Sequence, residues 1–202
     1  MTDNYNEGHP GATVSEIAVF ANLSLDEMPN IVLLMAGTND MYTDANATAA
    51  PGQLGGLIDQ IAEQCPHSTI IVAEIPPIGA LFNGSEARVE VYNAAIPGIV
   101  ASRVSEGKHV IAVNMSSYVA LSDMHDALHP NNRGYSLMAQ AWYAGLQQAA
   151  SNGWIEKGLD TKASGNTTNS TSKTNEADSF KRNSFWATFG TTSVGLSAIA
   201  LI

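Results

Sequence analysis

The chain has 202 residues, of which 45% are hydrophobic and 14% charged, enough apolar material for a core and too much for a wholly disordered protein. Nine Lys and Arg face 19 Asp and Glu, a formal charge of -10, so a phosphate backbone would be repelled and nucleic acid is not an expected partner. The single cysteine, Cys65, allows no internal disulfide framework and no Cys-rich zinc module.

In chain order, Met1 to Pro10 has neither a basic start nor an apolar stretch and does not read as a signal peptide. Ile31 to Ala36 (IVLLMA) is a continuous apolar run ending in the turn-like Gly37-Thr38-Asn39-Asp40. Thr69 to Ile75 (TIIVAEI) is β-branched and stops at Pro76-Pro77, and Val110 to Val113 (VIAV) is a third run. Runs apolar on both faces suit strands covered by helices on each side of a parallel sheet. Between them, Leu54, Leu57, Ile58, Ile61 and Cys65 recur at helical spacing until Pro66. Tyr92, Ala95, Ile96, Ile99 and Val100 predict another helix, kinked at Pro97. Met138, Ala141, Trp142, Leu146 and Ala149 form the stripe of a last helix starting near Asn132 or Arg133. The order implies an α/β fold, a three-layer sandwich with a parallel sheet.

The composition changes near residue 160. Up to that point the charge balance is -12, and from 161 to 202 it is +2. Residues 1–160 read as one domain. Residues 161–184, rich in Ser, Thr and Asn, read as a linker that cannot bury enough surface to order itself. Residues 185–202 are uncharged, at the lower limit for a bilayer span. Small residues at Ser170 to Ser172, the polar stretch 173–184 and this tail fit a lipid-anchor signal. A retained membrane helix with Lys181 and Arg182 on the cytoplasmic side, or an ordinary tail, are the alternatives. Six Asn-x-Ser/Thr sequons, at Asn22, Asn46, Asn83, Asn114, Asn166 and Asn169, favour a secretory route to the outside or surface of the cell.

Ligands of such sheets bind at the carboxyl ends of the strands, and two segments fall there. Asn39, just after the first strand, can aim an amide N–H at a developing oxyanion, although Gly-Thr-Asn-Asp also suits a plain turn with a helix cap. In Ser122 to Asn131 (SDMHDALHPN), Asp126 and His129 lie three apart, so the carboxylate can reach Nδ1 and leave Nε2 free as a general base. Both groups are expected to open onto one hollow. The His125/His129 pair resembles H-E-x-x-H, but Pro130 takes His129 out of helical geometry, and no metal is expected. Ser105 to Lys108, formally S-x-x-K, reads as a helix C-terminus capped by Gly107.

Taken in series, Glu7-Gly8-His9-Pro10-Gly11, Gly37-Thr38-Asn39-Asp40 and Asp126 to Asn131 resemble the SGNH hydrolases, or GDSL-type esterases, with the acetylxylan esterases of carbohydrate esterase family three the nearest likeness. The resemblance covers residues 7 to about 150 and implies a flavodoxin-like fold with five parallel strands. It also implies carboxylic ester hydrolysis through a Ser-His-Asp acyl-enzyme, with an acetylated polysaccharide or small ester as partner and no cofactor. On this likeness Gly11 supplies a backbone N–H and Asn39 a side-chain N–H to the oxyanion. His129 is then the base and Asp126 its orienting carboxylate. The family's nucleophile lies in a Gly-Asp-Ser that these 202 residues do not contain, and Ala12 stands where many relatives carry Trp. The expectation is a chain truncated at its N-terminus, without its first strands, including the central one, and inactive as written. A non-catalytic glycan-binding or cell-wall protein derived from an esterase, and a lipid esterase of the same fold, are the competing readings.

Overall fold

The computed structural model describes residues 5–44, 46–79, 84–155 and 198–201. Five strands form one parallel sheet: β1 (Tyr5–Glu7), β2 (Ile31–Leu34), β3 (Thr69–Ala73), β4 (Val110–Val113) and β5 (Ala198–Leu201). Their spatial order is β1-β5-β2-β3-β4. The helices are α1 (Val14–Leu25), α2 (Thr38–Thr43), α3 (Ala50–Gln64), α4 (Ser85–Ser105) and α5 (Asn132–Ser151), with two short 3₁₀ turns at Met115–Ser117 and Leu121–Asp123.

The sheet is covered on both faces, which is why its strands read as unbroken apolar runs. Side chains alternate along each strand. Val32, Leu34, Ile70, Val72 and Val110 point into a core shared with α1, α3 and α4, among them Ile17, Leu25, Leu54, Ile58 and Ile96. Ile31, Ile71, Ala73, Ile111 and Val113 point to the opposite core under α5, with Met138, Ala141 and Ala149. Three layers result, as the runs predicted.

Each helix has a local cause. The Glu16 carboxylate accepts from the N–H and hydroxyl of Thr13 and so closes the start of α1, a device the spacing analysis passed over. Helix α3 opens with Pro51 in its first turn and ends at Cys65, as expected. Cys65 is a buried free thiol bonded to the Leu25 carbonyl, and burial pushes its pKa up. Helix α4 starts earlier than the apolar spacing implied and continues through Pro97. At its C-terminus Gly107 is left-handed and donates to the Val104 carbonyl, while Arg103 and Lys108 both bind Asp59 on α3. The S-x-x-K segment is thus a capped helix end.

One expectation is corrected. The sheet has five strands where three were foreseen, because the place beside β2 is filled from the far end of the chain. β5 pairs with β2 (Ile31↔Ala198 to Leu34↔Leu201) on one side and with β1 (Tyr5↔Ile199 to Glu7↔Leu201) on the other. A parallel strand with both faces buried and an open row of amides recruits whatever apolar segment can reach it. Of the hydrophobic tail expected at 185–202, the described part is therefore strand. Among the described residues no helix is long and apolar enough to cross a membrane. The linker expected at 161–184 lies outside the described residues.

Candidate active site

All five strands run the same way, so the loops after β1, β2, β3 and β4 emerge at one edge. In the loop after β1, Gly11 has φ +83° and Ala12 donates to the His9 carbonyl, closing a tight turn. The Gly11 N–H has no hydrogen-bond partner among the described residues. His9 stacks on Phe20, with its Nε2 3.0 Å from the Glu7 carboxylate.

The Gly-Thr-Asn-Asp segment is a helix start and more than a turn. Gly37, at φ +115°, lets the chain leave β2 and enter α2. A Cβ there would lie 2.6 Å from the Tyr92 ring, whose hydroxyl donates to the Ala36 carbonyl, so both backbone and neighbour demand glycine. The next two polar side chains fasten this loop to the one after β1. Asn39 Nδ2 donates to the Ala12 carbonyl at 2.9 Å, and the Val14 N–H donates to Asp40 Oδ2 at 3.0 Å. Asn39 keeps a second N–H on the same nitrogen. Asp40 is fully buried and its Oδ1 has no partner among the described residues. Burial raises its pKa, and the Val14 N–H only partly opposes this.

The second predicted pair also meets, though in a loop and not in a helical turn. The N–H groups of His129 and Leu128 both donate to Asp126 Oδ1 at 2.7 Å, and His129 Nδ1 lies 3.0 Å from Oδ2. The backbone bonds of His129 and Leu128, followed by the imidazole, hold the Asp126 carboxyl down at about 2. An ionised acceptor at Nδ1 fixes the proton there and turns the lone pair of Nε2 outward. No hydrogen bond reaches Nε2 among the described residues. His125 N donates to the His129 carbonyl and Met124 bridges Pro130, so HDALH is a closed excursion of the chain. The two imidazoles therefore do not share a helical face.

The base of this excursion is rigid. Buried Asp123 accepts from Arg133 and from the Ala120 N–H, and its carbonyl receives the Asn131 N–H. The Asn131 side chain then caps α5 by accepting from the N–H groups of Arg133 and Gly134. Gly79 donates to the Ala127 carbonyl, and Leu128 packs on the core that contains Ala12 and Ala36. Gly11 with Asn39, and Asp126 with His129, thus stand at one edge of the sheet, with no direct hydrogen bond between the two pairs. Sequence reasoning passed over Asp40, Tyr92 and Glu74, whose buried carboxylate accepts from the Ser116 hydroxyl. Their roles depend on partners 26 or more residues away, and only the Asp in Gly-Thr-Asn-Asp was visible as a motif member.

Comparison with known proteins agrees with this fold. Residues 1–137 match the GDSL-like Lipase/Acylhydrolase family. The carbohydrate esterase family 3 structure from Talaromyces cellulolyticus is 28% identical, with a TM-score of 0.63 and 72% of each chain covered. The family 3 carbohydrate esterase of Clostridium thermocellum is 32% identical, with a TM-score of 0.61 over 72% of this chain and 71% of that one. A protein of Acetivibrio thermocellus provisionally named endoglucanase X is 37% identical over 118 residues, 57% of this chain, and the match spans only 49% of that relative. With its parallel sandwich and its three motifs on one sheet edge, this chain belongs to the GDSL-like lipase/acylhydrolase family and is related to the family 3 carbohydrate esterases.

Proposed function

We propose that this chain carries the acid-base and oxyanion half of a carboxylic ester hydrolase that removes acetyl groups from a polysaccharide. The observation that carries the reading is the Asp126–His129 couple, with Nε2 unengaged, on the sheet edge that also bears Asn39 and Gly11. Its relationship to family 3 carbohydrate esterases supports acetylated sugar as the substrate class.

In the proposed reaction Nε2 of His129 takes a serine hydroxyl proton as the oxygen attacks the acetyl carbonyl carbon. The carbonyl electron pair moves onto oxygen, where the Gly11 N–H and the free N–H of Asn39 receive it. Collapse of this intermediate expels the sugar oxygen, which takes the proton back from His129. Water then repeats both steps, releasing acetate and restoring the serine. Asp126 keeps the proton on Nδ1 and stabilises the imidazolium, staying ionised throughout.

These 202 residues contain no Gly-Asp-Ser, so in this reading the nucleophile is not supplied by them and the chain alone has little activity. The test compares p-nitrophenyl acetate and acetylated xylo-oligosaccharide turnover by the chain and by a version bearing an upstream Gly-Asp-Ser segment. Activity in the extended version that is lost with His129→Ala supports the reading. An acetyl-enzyme burst from the 202-residue chain would show that another serine serves. The lack of Gly-Asp-Ser also favours a second reading, a glycan-binding surface protein: tight binding of acetylated oligosaccharide without turnover in either version is its signature. Under both readings the protein works outside the cell or at its surface, in keeping with the six sequons.

A further inference from the structure

As tripeptides the six sequons are equivalent, and the structure separates two of them. Asn22-Leu23-Ser24 lies within α1. There Asn22 Nδ2 donates to the Val19 carbonyl, one turn back, at 3.0 Å. Its Oδ1 accepts from Gln60 Nε2 at 3.1 Å and from Gln64 Nε2 at 2.8 Å, both on α3. Ser24, which carries the sequon hydroxyl, is buried. The Asn22 amide is therefore a tie between two helices, and a sugar on Nδ2 would have to fit against both. Asn114-Met115-Ser116 stands where the chain leaves β4. Asn114 and Ser116 are both exposed. The Asn114 side chain is held by its oxygen alone: Oδ1 accepts the Ser117 N–H at 2.8 Å and has the Ser116 Oγ 3.1 Å away. Its Nδ2 has no hydrogen-bond partner among the described residues. Asn83, Asn166 and Asn169 lie outside the described residues.

We propose that Asn114 is a site of N-linked glycosylation and that Asn22 is not, the donor being an oligosaccharide carried on a lipid pyrophosphate. In the transfer Nδ2 of Asn114 attacks the anomeric carbon, and the C–N bond forms as the bond from that carbon to the pyrophosphate oxygen breaks. The lipid pyrophosphate leaves with the electron pair, and the amide nitrogen gives up one proton to solvent. A glycan is bulky and needs a solvated stem. At Asn114 it extends from an exposed residue whose side-chain contacts are made through oxygen and survive the loss of an Nδ2 proton. β4 is the outermost described strand on its side of the sheet, and two strand spacings, about 10 Å at about 4.8 Å each, separate it from β2. The glycan would stand to one side of Asn39 and Gly11 and leave their end of the sheet edge open. The proposal rests on the reading that the protein works outside the cell, and it draws on no ester chemistry.

The test directs the full chain into the secretory pathway of a eukaryotic host behind a cleavable leader and maps its sequons from whole-cell and secreted protein together. Digestion with peptide:N-glycosidase in heavy-oxygen water turns each glycosylated Asn into a labelled Asp, which mass spectrometry of the peptides locates. Label at Asn114 with none at Asn22 supports the proposal. Label at Asn22, or an unlabelled Asn114 beside another labelled sequon, overturns the assignment and leaves the extracellular reading standing. No label at any of the six sequons overturns both. Asn114→Gln should run one glycan smaller than the parent on a denaturing gel, and Asn22→Gln should run unchanged; the reverse pattern, or no shift with Asn114→Gln, refutes the proposal. Both readouts use denatured chains, so a variant that fails to fold is still scored.

Discussion

Gly37 sits between the strand and the helix that positions Asn39, and replacing it by alanine tests how that loop is held. Its φ of +115° lies in a region that costs an L-residue about 1–3 kcal/mol. The added Cβ would also lie 2.6–2.7 Å from three atoms of Tyr92, which is itself 1% exposed and has nowhere to retreat. Moving that ring breaks the hydroxyl bond to the Ala36 carbonyl, and leaving such buried groups unpaired costs about 1–3 kcal/mol more. Gly37→Ala should therefore destabilise by roughly 2–6 kcal/mol, read from equilibrium urea unfolding with an unchanged slope. The same substitution in a Tyr92→Ala background should cost only the backbone part, about 1–3 kcal/mol, because the ring it struck is gone. A cost below about 1 kcal/mol, or an equal cost in both backgrounds, refutes the idea that Tyr92 and the backbone jointly require glycine.

The Asp126 carboxyl, held at about 2 by the His129 and Leu128 amides and the imidazole, should titrate by NMR well below an ordinary aspartate. A lowered carboxyl pKa contributes stability above the unfolded value of about 3.9, and that contribution disappears as the pH falls through about 2, so amide exchange in residues 125–129 should quicken only in that window. An inflection near 4 would show that the loop does not grip the carboxylate. Asp40 has the opposite sign: its folded pKa is raised by burial, so its favourable contribution is complete below about 3.9 and is lost as the pH rises through the folded value. Asp40→Asn keeps an acceptor for the Val14 N–H and should raise Tm relative to the parent more at pH 7 than at pH 4; equal differences at both would contradict the assignment. Asn131→Ala removes the acceptor for two amides at the start of α5 and should cost about 1 kcal/mol in urea unfolding, and an unchanged midpoint would mean the cap is dispensable.

The proposed chemistry draws on two kinds of contact. The carboxylate and imidazole of Asp126 and His129 belong to one loop closed by its own backbone, so their pairing needs little from the rest of the molecule. The Asn39 amide is placed by a carbonyl 27 residues earlier in the chain, and the neighbouring Asp40 fastens the same two loops through the first amide of α1. Damage to either fastening should displace the proposed oxyanion donors while leaving the Asp126–His129 pair intact.

What the sequence by itself determined is local. Strands β2, β3 and β4 were legible because both faces are buried, which leaves continuous apolar runs of a length no amphipathic helix needs. The ends of α3, α4 and α5 could be read at Pro66, Gly107 and Asn132, and Asp126 with His129 could be read because three residues of chain bring them within reach. Only the tertiary structure decided that Ala198–Leu201 enters beside Ile31–Leu34. An apolar tail is equally good as membrane segment, core filler or strand until an unpaired edge is put in front of it. Among the described residues the three residues of β1 pair only with β5, and Tyr92, Asp40 and Ala12 acquire their roles from partners far along the chain. Contacts between residues distant in sequence leave no periodicity to read, because which distant groups meet is settled by the closure of the whole sheet.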